Sequence, residues 1–276
     1  MPLDRATIIN LGNKLAPSAA TFGRLRGLLA NPDTELDEIV QLIRLDPALT
    51  FHVVRLSNSV IFGLREPTDS LEGAIGRVGF REVSRLVGLA AAHQMCQKDL
   101  SVYRLKACRL WENAVATAAA AEVLAQPAGC DAGLAYTAGL LRTLGRVIID
   151  GAAWGQQYPG EAEWPLLSEW EQKRFGTTSA EVTAVLLEHW RFPDELVSAI
   201  RGHFDPFACP DSNVGACVLN LACGVAARFG LDLPGETPHW TCTPAKLTLA
   251  NVTEQTLNDC ANRAREHYTA LCAAVE

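Results

Sequence analysis

A chain of 276 residues with 49% hydrophobic and 20% charged residues has apolar side chains enough for a substantial core, in one large domain or two lobes. No apolar run reaches bilayer-spanning length, and the start Met1-Pro2-Leu3-Asp4-Arg5 lacks the basic stretch and apolar core of a signal peptide, so the cytoplasm is the expected compartment, with no membrane partner. The net charge of −7 divides unevenly: residues 1–110 carry 14 Lys and Arg against 11 Asp and Glu, residues 111–276 carry 10 against 20, and neither half promises the concentrated cationic face that nucleic acid needs.

Helical periodicity runs through almost the whole sequence. Leu36, Ile39, Val40 and Ile43 follow the i, i+3, i+4, i+7 pattern, with Thr34 and Asp37 placed to cap the start. Asp46-Pro47 ends that helix and begins another, because proline fits a first turn and disfavours helical geometry in its predecessor. Leu49, Val53 and Leu56 form the next stripe. Ser70 caps a short helix ending near Gly76 to Gly79; Val83, Leu86, Val87 and Ala90 then mark a longer one, with Arg81 and Arg85 beside Glu82 on a solvated face. Polar residues from Lys98 to Leu105 interrupt the pattern and suggest a seam between two lobes.

An alanine-rich helix follows, through Ala114, Ala116, Ala118 to Ala121 and Ala125, and its small side chains predict a central position where neighbouring axes approach closely. Gly129-Cys130-Asp131 breaks it. Leu134, Leu141, Leu144 and Ile148 predict one further helix, and Gly151 to Pro165, with Trp154, Tyr158 and Trp164, reads as an ordered loop. Thr178 and Glu181 form a capping box for a helix holding Val182, Val185, Leu186 and His189. Leu196 and Ile200 lead to His203 at a helix end. Leu231 to Pro244 is turn-rich, and Thr253 caps a final helix through Leu257, Ala261, Ala264 and Tyr268. Nothing alternates long enough for a strand, so the expected class is all-α.

Nine cysteines, among them Cys96, Cys108, Cys209, Cys217, Cys223 and Cys272, lack any Cys-x-x-Cys spacing. That argues for reduced, mostly buried thiols rather than a disulfide framework or zinc ribbon. Phosphate-binding loops, nucleophile elbows and His-Glu-x-x-His helices are absent.

Several motifs stand in a fixed order. The first half carries Ile43-Arg44-Leu45-Asp46-Pro47-Ala48-Leu49-Thr50, Arg55-Leu56-Ser57-Asn58-Ser59, Phe62-Gly63-Leu64 and Ala74-Ile75-Gly76-Arg77-Val78-Gly79. The second carries Leu110-Trp111-Glu112-Asn113, Ala138 to Gly145, Leu187 to Pro193, and Ala199-Ile200-Arg201-Gly202-His203. From residue 10 to residue 230 this order resembles the HDOD domain, the HD-related output domain of bacterial signalling proteins, within the HD superfamily of metal-dependent phosphohydrolases. The resemblance implies an N-terminal helical lobe over 1–105, a degenerate HD-like lobe over 106–230 and a C-terminal extension over 231–276 whose last helix packs on the core. It also implies a regulatory module that signals through contact with a protein partner, without a catalytic reaction of its own. Asp46-Pro47-Ala48-Leu49 and Ser57-Asn58-Ser59 fall within its signatures, yet their residue types suit caps and turns.

By the same resemblance, HD enzymes hold metal with a histidine on the first helix of the second lobe, a His-Asp pair and a late aspartate. Those positions here are Asn113, Arg142, Thr143 and Cys223, with Ser179 where a further histidine is often found. A guanidinium has no lone pair to give a cation and stays charged, so no metal, cofactor or catalytic residue is expected. Arg142 shares a helix face with Ala138, Gly145 and Ile149, which would leave its charge partly buried and in need of a carboxylate, from Glu112 or an acid of the second lobe, of backbone carbonyls, or of a bound anion. Arg146, one turn on, extends either arrangement. His203 is retained where the family has a histidine and is expected to favour its helix C-terminus through charge; His189 is expected to be half-buried with one hydrogen-bonded nitrogen. Three readings follow: a non-catalytic signalling domain; a sensor binding a small anion or nucleotide through Arg142 and His203, with Asn113 beside them; and a divergent phosphohydrolase in which His189, His203, Asp194 or Asp205 converge on Cys223. The first is favoured.

Overall fold

Amphipathic spacing and proline or glycine breaks build the N-terminal half of the computed structural model, which describes residues 2–15, 17–29, 31, 33–58, 70–153, 155–208 and 213–275. It consists of α1 (Arg5–Leu15), α2 (Pro17–Leu29), α3 (Leu36–Arg44), α4 (Pro47–Ser57) and α5 (Leu71–Met95). Ser59, Phe62-Gly63-Leu64, Trp154 and Cys209 lie outside the described residues, as do the side chains of Leu56 and Arg81. The α3 stripe buries Ile39, Val40, Leu42 and Ile43. Its cap is Glu35 rather than Thr34 or Asp37, because Glu38 reaches back to the Glu35 amide (3.5 Å) while the Thr34 hydroxyl donates to the Leu28 carbonyl (2.6 Å). At the next junction Asp46 Oδ1 accepts the Leu49 amide at 2.9 Å, and Leu49 and Val53 are fully buried. Ser70 caps α5 by accepting the Gly73 amide (3.1 Å), and the helix breaks at Gly79, whose φ of 80° suits a residue without Cβ. Arg85 is less solvated than its sequence suggests: half-buried, it lies 3.1 Å from Glu122 and over the Tyr136 ring.

A short antiparallel bridge between Leu100 and Leu105 occupies the expected seam. Beyond it come α6 (Ala107–Ala128), α7 (Ala132–Leu141), α8 (Leu144–Ala152), α9 (Leu167–Phe175), α10 (Ser179–His189), α11 (Asp194–Gly202), α12 (Val214–Arg228), a 3-10 turn at Thr237–Trp240, α13 (Pro244–Leu249) and α14 (Glu254–Val275). The alanine-rich α6 is central, with α7, α12 and α14 packed around it. Gly139 makes the closest approach, since an ideal Cβ there would lie 2.4 Å from Ala118 Cα. The clashing atoms, in Ala118 and Thr117, are backbone and cannot rotate away, so Gly139→Ala should destabilise the fold by about 1–3 kcal/mol, read as a lower urea midpoint. An unchanged midpoint would mean that α6 and α7 separate at no cost.

The single helix expected from Leu134 to Ile148 is two. Thr143 (φ −90°, ψ 0°) separates α7 from α8, and the Gly145 amide donates to Thr183 Oγ1 (2.8 Å). Tertiary hydrogen bonding therefore divides what apolar periodicity joins. Helix α9 had no sequence signal; its charged residues mask the buried Leu167, Trp170 and Phe175. The loop at 155–165 is ordered, with Tyr158 buried and its amide bonded to the Val102 carbonyl at 2.7 Å. Thr178 caps α10 through the Glu181 amide (3.2 Å), but the Glu181 carboxylate pairs with Arg201 (2.8 Å). Thr253 caps α14 through the Thr256 amide (3.0 Å), and Leu257 and Ala264 are buried. Among the described residues there is no β-sheet, and no helix is long and apolar enough to cross a membrane.

Candidate functional site: a buried arginine and carboxylate cluster

The break between α7 and α8 places Arg142 at the C-cap of α7 and Arg146 in the first turn of α8, and both are almost completely buried. Two buried guanidinium groups need compensation, and Glu236 supplies it from the turn-rich segment after α12. Arg142 Nη1 donates to both Glu236 oxygens, at 2.9 and 3.2 Å, and Arg146 Nη2 donates to Oε1. Arg142 Nη2 also donates to Asn113 Oδ1 (2.5 Å), and the Asn113 amide group in turn donates to the Leu231 carbonyl (2.6 Å). Of the sequence-matched metal positions, Arg142 and Asn113 are hydrogen-bonded to each other within an ion-pair cluster, and Thr143 adjoins Arg142 in the chain. Glu112, the alternative partner considered for Arg142, lies near Arg109 instead.

Burial works against ionising Glu236, yet Arg142 and Arg146 outweigh it and hold the carboxyl below its ordinary pKa. Burial equally works against the Arg142 charge, but Cys223 and Glu236 raise its pKa above the usual arginine value. Burial pushes the Cys223 thiol up to about 12, so near neutrality it is uncharged and Glu236 is the operative counter-ion. The arginine planes are also covered by rings: Arg142 lies 5.6 Å from the Trp240 centroid and Arg146 5.1 Å from that of Tyr103.

A second buried carboxylate, Glu171, lies near the cluster without an ion pair to either arginine among the described residues. Tyr103 donates its hydroxyl to Glu171 Oε1 (2.8 Å), and Glu171 Oε2 accepts from the Ser179 amide (2.7 Å) and hydroxyl (2.9 Å). Ser179, matched to a family histidine, thus anchors an acid. Burial raises the Glu171 pKa despite the nearby Arg146 charge.

His203 closes the other side of the cluster, stacked on Phe204 with centroids 4.3 Å apart. Its Nδ1 lies 2.6 Å from the Ile200 carbonyl, which can only accept, so Nδ1 carries the proton and Nε2 is a buried acceptor without a partner. Burial, with the Arg142 charge, drives its pKa down to about 3. It is therefore neutral near pH 7, and the expected stabilisation of the helix end by its charge does not operate. His189 is exposed rather than half-buried, because α10 ends there and its side chain leaves the apolar stripe. Asp194 and Asp205 are exposed as well, so the ligands required for a relocated metal site do not converge on Cys223. Among the described residues, no group of three or more His, Cys, Asp and Glu side chains is arranged to hold a metal ion.

Glu236, Glu171, Tyr103 and Trp240 were not singled out by sequence. Gly235-Glu236-Thr237 reads as a solvated turn, and only the docking of that turn against α8 reveals its carboxylate as interior. Glu171 sits among exposed charges on α9 and carries no distinguishing local pattern.

Fold and site together define a helical HD-related domain in which an arginine and carboxylate cluster occupies the positions matched to the metal ligands. The chain belongs to the HDOD domain family, which matches residues 15–206; Glu236 lies beyond that stretch. An uncharacterized protein of Treponema pallidum (strain Nichols) is 29% identical over 225 residues, covering 76% of this chain and 41% of that relative. The chain thus spans about two fifths of that relative's length. Among solved structures, a Shewanella amazonensis SB2B protein bearing a phosphohydrolase name aligns over 98% of both chains with 21% identity and a TM-score of 0.69. A Marinobacter aquaeolei VT8 protein bearing a signal-transduction name aligns over 99% of this chain and 68% of its own, with 22% identity and a TM-score of 0.70. An HDOD domain protein of unknown function from Geobacter sulfurreducens aligns over 91% and 86%, with 21% identity and a TM-score of 0.64. At these identities the likeness shows the fold alone.

Proposed function

We propose that this protein is a non-catalytic signalling domain that acts through contacts with a protein partner in the cytoplasm. The observation carrying the reading is the Arg142 guanidinium, bonded to Glu236 and Asn113 at the positions matched to the metal ligands. On this reading Asn113, Arg142 and His203 form a structural polar core, and the cluster replaces a metal as the element joining α6, α7, α8 and the segment after α12. The HD-like lobe would then comprise residues 106–230, set against the N-terminal lobe over 1–105. The extension over 231–276 would contribute Glu236 as an internal brace.

A surface for a partner is offered by the groove between α2 and α3, of about 590 Å³, edged by Leu45 and Trp190. Leu45 is 71% exposed, which favours a contact that covers it.

Elemental analysis of purified protein tests the non-catalytic reading directly. No stoichiometric transition metal is expected, and one tightly held equivalent of iron, manganese or zinc in the second lobe would overturn it. Restoring the His-Asp pair with Arg142→His and Thr143→Asp should not generate turnover of a cyclic dinucleotide or a generic phosphodiester, because Asn113 and Cys223 still leave the other ligand positions without a histidine and an aspartate. Activity of that variant above a metal-free control would show that the remaining site suffices for catalysis.

A further inference from the structure

Away from the buried cluster, a cavity of about 250 Å³ opens where α2 and α5 meet α6 and α7, lined by Arg26, Ser84, Arg85, Glu122, Tyr136 and Thr137 among others. Its polar groups are incompletely satisfied. Tyr136 is 2% exposed, and its hydroxyl lies beside the Arg85 guanidinium, which can only donate, so the Tyr136 O–H itself is left without an acceptor. Arg85 Nε is likewise buried without a hydrogen bond, although Nη2 pairs with Glu122. Arg26 approaches the first turn of α7, where an ideal Cβ on Gly133 would lie 3.6 Å from its Nη1. Asp131 already accepts the Leu134 amide as the cap of that helix, and only partly offsets the burial of Arg26, whose pKa is lowered. A cation held against the positive end of a helix is an unfavourable arrangement that a bound anion would relieve.

Glu122 narrows the choice of anion. Its carboxylate faces the same cavity and repels a fully ionised oxyanion, but accepts a hydrogen bond from one that keeps a proton. We propose that this cavity binds a protonated phosphate, either inorganic phosphate or a small phosphomonoester. Oxygens of the ligand accept from Arg26, Arg85 Nε and Tyr136, while its P–OH donates to Glu122. Sulfate, which carries no proton near neutrality, is rejected. The site draws Arg26 and Arg85 from the N-terminal half and Glu122 and Tyr136 from the second, so occupancy would tie the two halves together and supply an input to a signalling domain. This site is independent of the non-catalytic reading, which metal analysis decides on its own.

Thermal denaturation and titration calorimetry of the full chain with inorganic phosphate, glycerol 3-phosphate and sulfate, at matched ionic strength and pH, test the proposal. Phosphate or glycerol 3-phosphate should stabilise the protein and sulfate should not; their relative affinities distinguish the free anion from the ester. Tyr136→Phe, which keeps the ring, and Arg26→Leu should each weaken binding by about ten-fold or more. Glu122→Gln should let sulfate bind as well as phosphate. Equal shifts with phosphate and sulfate in the parent protein, or parent-like phosphate binding by both Tyr136→Phe and Arg26→Leu, would overturn the proposal.

Discussion

Glu236→Gln is expected to destabilise the protein by about 3–5 kcal/mol, the cost typical of breaking a buried ion pair by removing one partner. It should be the more damaging of the changes within the cluster, because the carboxylate serves Arg142 and Arg146 together and its neutralisation leaves two buried cations. Arg142→Ala removes one cation and leaves Glu236 paired with Arg146, so its cost should fall at or below the lower end of that range. The substitution also strands Asn113 Oδ1, which then loses its Arg142 donor. Chemical denaturation of the three proteins, with and without phosphate or nucleotide, ranks them. An undiminished midpoint for Arg142→Ala, together with loss of a ligand-induced shift seen in the parent, would make Arg142 an anion receptor and overturn the structural reading of the cluster.

The second large effect is on pH dependence. His203 has a folded pKa of about 3 against an ordinary value of 6.5, because burial and the Arg142 charge oppose its protonation. Between those values the unfolded chain binds a proton that the native state excludes, so stability must fall as the solution is acidified. The slope from this one group is about 1.4 kcal/mol per pH unit, and across the interval it amounts to roughly 5 kcal/mol. Glu236, whose pKa is lowered in the fold, adds loss of the same sign as the pH falls below the ordinary carboxylate value. Glu171 acts oppositely: its raised pKa means that the native state takes up a proton first, gaining stability as the pH falls through its folded value. Replacing His203 with asparagine keeps a donor for the Ile200 carbonyl and removes the titrating ring. The variant should show a flatter stability profile from pH 6.5 to pH 5, measured by urea denaturation at each pH. A slope equal to the parent's would mean that another group governs the acid limb.

The all-α class, most helices and the family resemblance were legible because they rest on local chemistry: apolar residues at helical spacing, proline in first turns, Ser70 and Thr253 at caps, glycine at breaks. Local sequence also determined what Arg142 cannot do, since a guanidinium offers no lone pair to a metal in any surroundings. It even set out that Arg142 needs a carboxylate, backbone carbonyls or a bound anion beside it, from the small and apolar residues flanking it. That an acid answers this need, and which one, was decided only in three dimensions. Glu236 stands 94 residues away in a segment that looks like a solvated turn, and its role depends on that turn docking against α8. The division of α7 from α8 was hidden for a similar reason, because the bonds made through Thr183 lie outside any local pattern. His203 follows the same division: its place at a helix end could be read from neighbouring residues, but its neutrality comes from burial beside a charge contributed by another helix. Charge state depends on the dielectric and the partners around a group, and both are properties of the assembled fold.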